Sequence, residues 1–278
     1  MPPRLWHLRG DTPWPIPPGG GIIGILNTTP DSFSDGGRYT SLDQALAQAH
    51  HLAHSGAHII DIGGESTRPG SSEISIDEEL RRVIPTIRAV RAALPHQLIS
   101  VDTRHAPVAQ AALQAGAHII NDITGLSNPA MRAVCAASTC GIILMHMQGT
   151  PATMQHNPQY HNVTAEVRQF FETRIHQAEQ AGISPRRICL DPGIGFGKTT
   201  RHNLTLIAQL EATRVRNLPI LMALSRKRFL GEIFHNPALA KSSPLPTIAL
   251  SLIAANHGAD LHRVHDPAPL REALRHHT

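Results

Sequence analysis

Short apolar runs recur eight times along the chain and alternate with longer stretches in which apolar residues return at helical spacing. Runs of this length that alternate with helices are typical of βα units in a parallel sheet. Eight such units predict an α/β fold, a single (β/α)8 TIM barrel, whose C-terminal strand ends face one pit. The predicted strands are Ile22–Asn27, His58–Gly64, Gln97–Thr103, His118–Ile123, Gly141–Met147, Ile188–Phe196, Pro219–Leu224 and Leu261–Asp266.

The helical stretches between these runs carry boundary signals of their own. The first ends before Gly56, and a glycine just beyond the last turn is a common helix stop. The segment Ser55–Ile62 also resembles Ala115–Ile123, since each reads as a helix end, a glycine and a strand. A doubly wound open sheet is the alternative, but it usually has fewer strands and a glycine-rich dinucleotide motif. Helices are predicted near residues 41–55, 77–94, 129–138, 163–181, 202–215, 245–257 and 267–276, with another ending at Gly116.

Length and composition agree with one barrel. The chain has 278 residues, close to the roughly 250 of a typical (β/α)8 domain. We expect an irregular N-terminal extension over residues 1–20, rich in proline and glycine, and a barrel domain over residues 21–278. The charged fraction of 17% is low and argues against disorder.

Charge and cysteine content restrict the classes of binding partner and the cellular location that we expect for this protein. The net charge of +4 is mild and the basic residues are not clustered, so nucleic-acid binding is not expected. No apolar run approaches the ~18–20 residues that span a membrane. Cys135, Cys140 and Cys189 lack CxxC spacing, which suits a cytoplasmic protein without disulfides. Cys189 is expected to be an inert residue of the core.

Three polar residues stand at the ends of predicted strands: Asp102, Asn121 and Asp191. Carboxylates and amides on a dry barrel floor are costly unless a ligand or a neighbour satisfies them. Together they offer hydrogen-bond acceptors and donors to a flat heterocycle with N–H edges, such as a guanine-like or pterin-like ring. The alternative is a purely structural hydrogen-bond network beneath the loops.

A cationic group follows the last two predicted strands. Ser225, Arg226 and Lys227 follow the seventh, and Arg263 and His265 end the eighth. Loops after strands seven and eight usually form the anion site of this barrel. Lys227 could be a Schiff-base lysine, whose pKa cationic neighbours would depress. Alternatively, it holds a multiply charged anion such as diphosphate together with the arginine and histidine.

The first predicted strand leads into a polar loop with three oxygen donors, Asn27, Asp31 and Asp35. Asn27 is a candidate ligand for Mg²⁺ beside a diphosphate, because this ion takes one or two protein oxygens plus phosphates and water. For the two aspartates, ordinary turn chemistry is the competing interpretation.

Three further segments bear on the pit. Thr67 and Arg68 lie on the loop after the second strand, where an arginine could close over a substrate. His146 has no partner at metal-ligand spacing, and the neighbouring methionines are candidate apolar walls for a ring. The glycine-rich segment Asp191–Lys198 does not match GxxxxGK[ST], which excludes an ATP loop. We expect its glycines to let the backbone approach a ligand or a moving loop.

These residues, in this order, resemble the dihydropteroate synthase family. The resemblance extends from about residue 21 to residue 266, and its first two motifs are long and specific. The matching segments are Gly24–Gly37, Asp61–Gly70, Ser100–Thr103, Ile120–Asp122, Asp191–Phe196, Ser225–Lys227 and Arg263–Asp266.

The resemblance implies a transferase of a non-methyl alkyl group in folate biosynthesis. It would condense 6-hydroxymethyl-7,8-dihydropterin diphosphate with 4-aminobenzoate, with sulfonamides as inhibitors, Mg²⁺ as cofactor and a homodimer as the assembly. The catalytic residues it implies are Asp102, Asp191 and Lys227. The implied pterin diphosphate site is Thr67, Asp102, Asn121, Asp191, Lys227, Arg263 and His265. For 4-aminobenzoate the residues are Thr67, Arg68, Pro69, Phe196 and Ser225, and for the metal Asn27.

The chain departs from the family pattern at Thr28, Ala223 and Arg228, where the family commonly has valine, glycine and serine. Arg228 puts sulfonamide affinity in question more than activity, and the run from Ala240 to Pro246 could alter the dimer surface. Three other functions are considered: a methyltetrahydrofolate:corrinoid methyltransferase, a Schiff-base aldolase at Lys227, and a catalytically silent homologue that only binds a pterin or a partner protein.

Overall fold

A computed structural model describes residues 3–28, 41–66 and 73–276. Its strands are β1 (Leu5–Leu8), β2 (Thr12–Pro15), β3 (Gly21–Asn27), β4 (Ile59–Gly63), β5 (Leu98–Asp102), β6 (Ile119–Asp122), β7 (Gly141–Met145), β8 (Ile188–Asp191), β9 (Leu221–Met222) and β10 (Leu261–Val264). Its helices are α1 (Ser41–His54), α2 (Ile76–Ala93), α3 (Ala106–Ala115), α4 (Pro129–Ser138), α5 (Val163–Gln180), α6 (Thr200–Ala208), α7 (Arg228–Ile233), α8 (Leu239–Ser242), α9 (Leu245–Asn256) and α10 (Pro267–Arg275).

The strands β3 to β10 form one parallel sheet that curves into a barrel. Their order is β8-β7-β6-β5-β4-β3-β10-β9, and a parallel bridge between Leu190 and Ile220 joins the two ends. Side chains alternate between the interior and the surrounding helices, so every second residue of a strand points into the barrel. The predicted TIM-barrel fold is confirmed.

The N-terminal segment differs from the irregular extension that its proline and glycine content predicted. Residues Leu5–Leu8 and Thr12–Pro15 pair as an antiparallel hairpin. The backbone turns at Gly10 and Asp11, both with positive φ. Trp6 is fully buried, and its Nε1 donates to the carbonyl of Arg187 at 2.8 Å.

The hairpin contributes to a core cluster at the N-terminal end of the barrel. Its members include Trp6 and Leu8 from the hairpin and Ile23, Ile59 and Leu261 from the strands. The hairpin side chains cover the strand side chains at this end of the barrel and exclude water from them. Hydrophobic burial therefore orders the hairpin. Cys189 lies in the same cluster and is fully buried, as predicted.

Several element boundaries differ from the sequence prediction. The sixth predicted strand ends at Asp191 rather than Phe196, because the glycines after it adopt left-handed backbone angles. The predicted helix over residues 202–215 begins earlier and divides into α6 and a 3-10 turn at Leu210–Thr213. Its early start follows from Thr199, whose hydroxyl accepts from the backbone N–H of His202.

The short helices α7 and α8 have no counterpart in the sequence prediction. The remaining predicted helices agree with the structure to within one residue at each end. Among the described residues, no helix combines the length and the apolar character needed to cross a bilayer.

Candidate active site

The C-terminal ends of the strands bring together an arginine and two aspartates. From β10, Arg263 donates through Nε to Asp61 Oδ2 on β4 at 2.6 Å. It also donates through Nη2 to Asp102 Oδ2 on β5 at 2.8 Å. These three side chains come from neighbouring or nearly neighbouring strands and point inward, so the barrel closure itself creates the cluster. The cluster bears two carboxylates for one guanidinium.

Asp61 is a site residue that the sequence analysis left without a role. It is fully buried, and its Oδ2 also accepts from Asn121 Nδ2 at 3.1 Å. This bond sets the orientation of the amide, so Asn121 turns its Oδ1 acceptor away from Asp61. The available signal was the position of Asp61 inside the predicted strand His58–Gly64, three residues before its end. Its partner lies 202 residues away along the chain.

Burial controls the ionisation of the carboxylates. Desolvation raises the pKa of Asp102 to about 7, although the charge of Arg263 opposes the rise. Burial likewise raises the pKa of Asp191 from its ordinary value, against a hydrogen bond from the Gly193 N–H at 2.7 Å and the charge of Lys227. Both groups therefore respond strongly to a positive charge placed beside them.

Lys227 is half-buried and lies within electrostatic reach of Asp191. Its Nζ lies 4.2 Å from the centroid of the Phe196 ring, a cation–π arrangement. Desolvation lowers the pKa of Lys227 to about 8, with Asp191 acting in the opposite direction. The lysine, the ring and Asp191 thus form one side of the pit.

An apolar surface completes this part of the barrel mouth. Its buried members are Ile123, Met145, Met154 and Phe196, with Met147 partly buried against them. Both methionines proposed as walls therefore belong to it. A flat apolar surface beside a row of hydrogen-bonding groups is the usual construction of a site for a planar ligand.

Two predicted site residues, Ser225 and His265, meet beyond β9 and β10. The hydroxyl of Ser225 lies 2.9 Å from His265 Nδ1 and also accepts from the His265 backbone N–H at 3.3 Å. Arg226 is exposed and has a positive φ of 58°, so the chain turns sharply between Ser225 and Lys227. Because of this turn, the side chains of Ser225 and Lys227 reach different parts of the pit.

Asn27 ends β3 and lies beside Gly63 of β4, with which it is in register. A Cβ at Gly63 would lie 3.9 Å from Asn27 Oδ1 and 3.5 Å from the Asp102 Cβ. The absence of a side chain at Gly63 therefore keeps space open between the amide and the carboxylate. Among the described residues, no group of three or more His, Cys, Asp or Glu side chains could hold a metal ion.

Several predicted site residues, namely Asp31, Asp35, Thr67, Arg68 and Pro69, lie outside the described residues. Hydrogen bonds to Glu65 link the two chain segments that flank residues 67–72. Arg104 donates to both oxygens of Glu65, at 3.0 and 3.1 Å, and the Ile74 backbone N–H donates to Glu65 Oε1 at 3.3 Å.

His146, considered above as a metal ligand, instead pairs with a lysine that the sequence analysis did not single out. Its Nδ1 lies 2.9 Å from Nζ of Lys198, which is 3% exposed.

Arg228 has 83% of its side chain exposed and pairs with Glu232 at 3.1 Å. The unusual arginine after Lys227 therefore faces solvent in this structure.

Comparison with known proteins assigns the family. The profile described as pterin binding enzyme matches residues 23–265. The dihydropteroate synthase of Escherichia coli K12 is 46% identical over 255 residues, covering 91% of this chain and 89% of that protein. The Xanthomonas albilineans dihydropteroate synthase solved with 4-aminobenzoic acid is 42% identical, with a TM-score of 0.89 and coverage of 99% and 97%.

A Yersinia pestis dihydropteroate synthase, solved as a complex with a sulfonamide drug, is 40% identical. It superposes with a TM-score of 0.89 and covers 98% of each chain. The family profile spans the strand ends that carry the site residues described above. The chain belongs to the pterin binding enzymes and, within them, to the dihydropteroate synthases.

Proposed function

We propose that this chain condenses 6-hydroxymethyl-7,8-dihydropterin diphosphate with 4-aminobenzoate to give 7,8-dihydropteroate and diphosphate. The observation that carries the proposal is the Arg263 fork between Asp61 and Asp102, set beside Asn121 and Asp191. It places acceptors for a ring bearing N–H groups next to cations for a diphosphate, all within one barrel mouth.

Asp102, Asn121 and Asp191 are the proposed ring-binding groups. A dihydropterin carries an amino group beside ring N–H groups, and these donors match carboxylate and amide acceptors. The orientation of Asn121, fixed by Asp61, leaves Oδ1 available to such a donor. Met145 and Ile123 supply an apolar surface for the face of the ring.

The same charges suit a dissociative substitution. The bond between the pterin methylene and the diphosphate oxygen breaks, and the electron pair leaves on the oxygen. The resulting cation is conjugated with the ring, where Asp102 and Asp191 stabilise it. The nitrogen of the arylamine then forms the new C–N bond and loses a proton. Preorganised charges of this kind are usually the largest catalytic contribution.

Lys227, Arg263 and His265 are the proposed contacts of the leaving diphosphate. Asn27 is the proposed protein ligand for Mg²⁺, because an amide oxygen is a ligand this hard ion accepts and Gly63 leaves room beside it. When bound there, the ion neutralises charge on the phosphate oxygens.

Phe196 and Ser225 are the proposed described contacts of 4-aminobenzoate, with Thr67, Arg68 and Pro69 as their proposed neighbours. The related enzymes solved with 4-aminobenzoic acid and with a sulfonamide drug support this pairing of substrate and inhibitor. A cytoplasmic location is also part of the proposal, and it is supported by three free, buried cysteines.

The deciding experiment measures diphosphate release from purified protein given dihydropterin diphosphate and Mg²⁺, with and without 4-aminobenzoate. Release that depends on 4-aminobenzoate and yields dihydropteroate is the expected result. Pterin binding without product would instead favour a catalytically silent homologue. Trapping of a carbonyl substrate on Lys227 by borohydride would favour an aldolase, and methyl transfer to a corrinoid would favour the methyltransferase.

Activity is expected to depend on pH with a maximum of kcat/KM between about 7 and 8. The raised pKa of Asp102, about 7, means that protonation removes its negative charge as pH falls through that value. The lowered pKa of Lys227, about 8, means that its positive charge is lost as pH rises further. Steady-state kinetics from pH 5 to 10 test this, and an acid limb that survives in Asp102→Asn would contradict the assignment.

We also propose a homodimer. Exposed apolar side chains lie on α6 and α9, which pack together: Leu204 is 39% exposed, Leu245 68% and Ile253 44%. We propose that these exposed apolar side chains belong to the association face. Leu245→Glu is expected to raise the dimer dissociation constant at least about tenfold, the effect of losing ~1.4 kcal/mol. Sedimentation equilibrium measures this, with Leu5→Glu, on the distant hairpin, as the control; a wild-type monomer would refute the proposal.

A further inference from the structure

The glycine-rich turn after β8 is held by a buried lysine. Lys198 is 3% exposed. Its Nζ donates to the carbonyls of Gly193 and Phe196, each at 3.0 Å, and to His146 Nδ1 at 2.9 Å. An ammonium group has three N–H donors, and each of them has an acceptor here. Every N–H of the ammonium group therefore has an acceptor, while burial lowers the pKa of Lys198 to about 7.

His146 is adapted to this role. Nδ1 can accept a hydrogen bond only when the ring is neutral with its hydrogen on Nε2. Burial and the charge of Lys198 both lower the pKa of His146 well below its ordinary value, which keeps the ring neutral. The His146 backbone N–H also donates to the Asp191 carbonyl at 2.9 Å. The lysine thus joins the end of β7 to the turn that follows β8.

The turn carries a site residue at each end. At its start the Gly193 N–H donates to Asp191 Oδ1. At its end Phe196 places its ring 4.2 Å from Lys227 Nζ. The two carbonyls that Lys198 binds, those of Gly193 and Phe196, belong to these same ends. Lys198 therefore binds both ends of the turn that carries the Phe196 ring.

The backbone of the turn has little conformational preference of its own. Gly193 and Gly195 have φ values of +67° and +80°, which side chains other than glycine rarely adopt. The turn closes with one hydrogen bond of its own, from the Phe196 N–H to the Gly193 carbonyl at 3.0 Å. Because glycines lose many conformations when such a turn forms, side-chain hydrogen bonds to it add to its stability. Gln155 and Asn203 bind only the middle residue, at the carbonyl and the N–H of Gly195.

We propose that Lys198 is a positioning residue for the second substrate: it holds Phe196 beneath Lys227 and so shapes the 4-aminobenzoate side of the pit. It does not touch the substrates itself. Burying an ammonium ion is costly, and an apolar side chain of similar size would fill the same space at lower cost. The two carbonyl acceptors and the one imidazole acceptor therefore indicate that the lysine is present for its hydrogen bonds and not for packing alone. This inference rests on the proposed function.

Lys198→Met is the test variant, because it keeps the length of the side chain and removes the donors. The KM for 4-aminobenzoate is expected to rise about tenfold or more, while the KM for the pterin diphosphate changes less than about twofold. The pterin site should be spared, because Lys198 has little influence on Asp191. Its charge lowers the pKa of Asp191 less than the hydrogen bond from Gly193 or the charges of Lys227 and Arg263 do. Equal changes in both KM values, or none in that for 4-aminobenzoate, would overturn the proposal.

Two further variants make the result decisive. Ile175→Ala removes a fully buried side chain of α5, on the outside of the barrel. It should lower Tm and leave both KM values unchanged, which separates a loss of stability from a loss of positioning. If Lys198→Met does not fold, His146→Leu removes one of the three acceptors. It should raise the 4-aminobenzoate KM about threefold, and an unchanged KM would refute the proposal.

The wild-type assay keeps this inference distinct from the proposed function. A wild-type enzyme that makes no dihydropteroate defeats the proposed function itself. An active wild-type enzyme whose Lys198→Met variant retains its 4-aminobenzoate KM defeats only the inference.

Discussion

Asp102→Asn is expected to reduce kcat by about a thousandfold. The substitution preserves shape but removes the negative charge that faces the developing pterin cation. A unit charge acting over about 4 Å at an effective dielectric of about 20 contributes ~4 kcal/mol, which corresponds to roughly that factor. The pterin KM should change much less, because the amide oxygen can still accept a hydrogen bond. Single-turnover measurement of diphosphate release isolates this step.

Asp122→Asn provides the matched control. Asp122 is also a buried carboxylate, but its oxygens accept from the Thr124 backbone N–H, the Thr124 hydroxyl and the Leu126 N–H, at 2.7 to 2.9 Å. Its loss should lower Tm while kcat stays within about threefold of wild type. A similar kcat for Asp102→Asn and wild type would refute the role given to Asp102.

Arg263→Met is expected to have the second large effect, on both stability and turnover. It would leave Asp61 and Asp102 without their cation. Removing one partner of a buried ion pair typically costs about 3–5 kcal/mol. The charge of Arg263 lowers the pKa of Asp102, so its removal would raise that pKa further and neutralise the carboxyl at pH 7. The substitution thus removes two catalytic charges together.

Urea unfolding and kcat, measured on the same preparations, test this prediction. Arg263→Lys should restore only part of either quantity, because an ammonium ion cannot supply the planar fork that reaches both aspartates. Full recovery of kcat with lysine would show that charge alone is sufficient.

Arg214→Met is the control for stability. Arg214 is also buried and bridges two acids, Asp260 and Glu211, each at 2.8 Å. It lies at the opposite end of the barrel, beside the starts of β9 and β10. Its removal should lower the free energy of unfolding without changing kcat per folded molecule. An equal loss of kcat in both arginine variants would mean that Arg263 acts only through stability.

The amino-acid sequence by itself determined the barrel and the polar residues of its mouth. Parallel strands of a closed barrel are buried on both faces, so they appear in the sequence as short apolar runs. Glycines such as Gly56 and Gly116 mark the points where a helix ends and the next strand follows. Asp102, Asn121 and Asp191 were identifiable because a polar residue that ends such a run must lie at the mouth.

Tertiary structure decided the residues whose function depends on distant partners. Asp61 lies within an apolar run and gains its role from Arg263, which barrel closure places beside it. Lys198 follows a glycine-rich segment that suggested only backbone freedom, and its three acceptors come from two strand ends. The hairpin that contains Trp6 is ordered by burial against the barrel floor, a surface that exists only after the strands close. Local patterns report periodicity and turn chemistry, whereas the pairing of buried charges is a property of the folded chain.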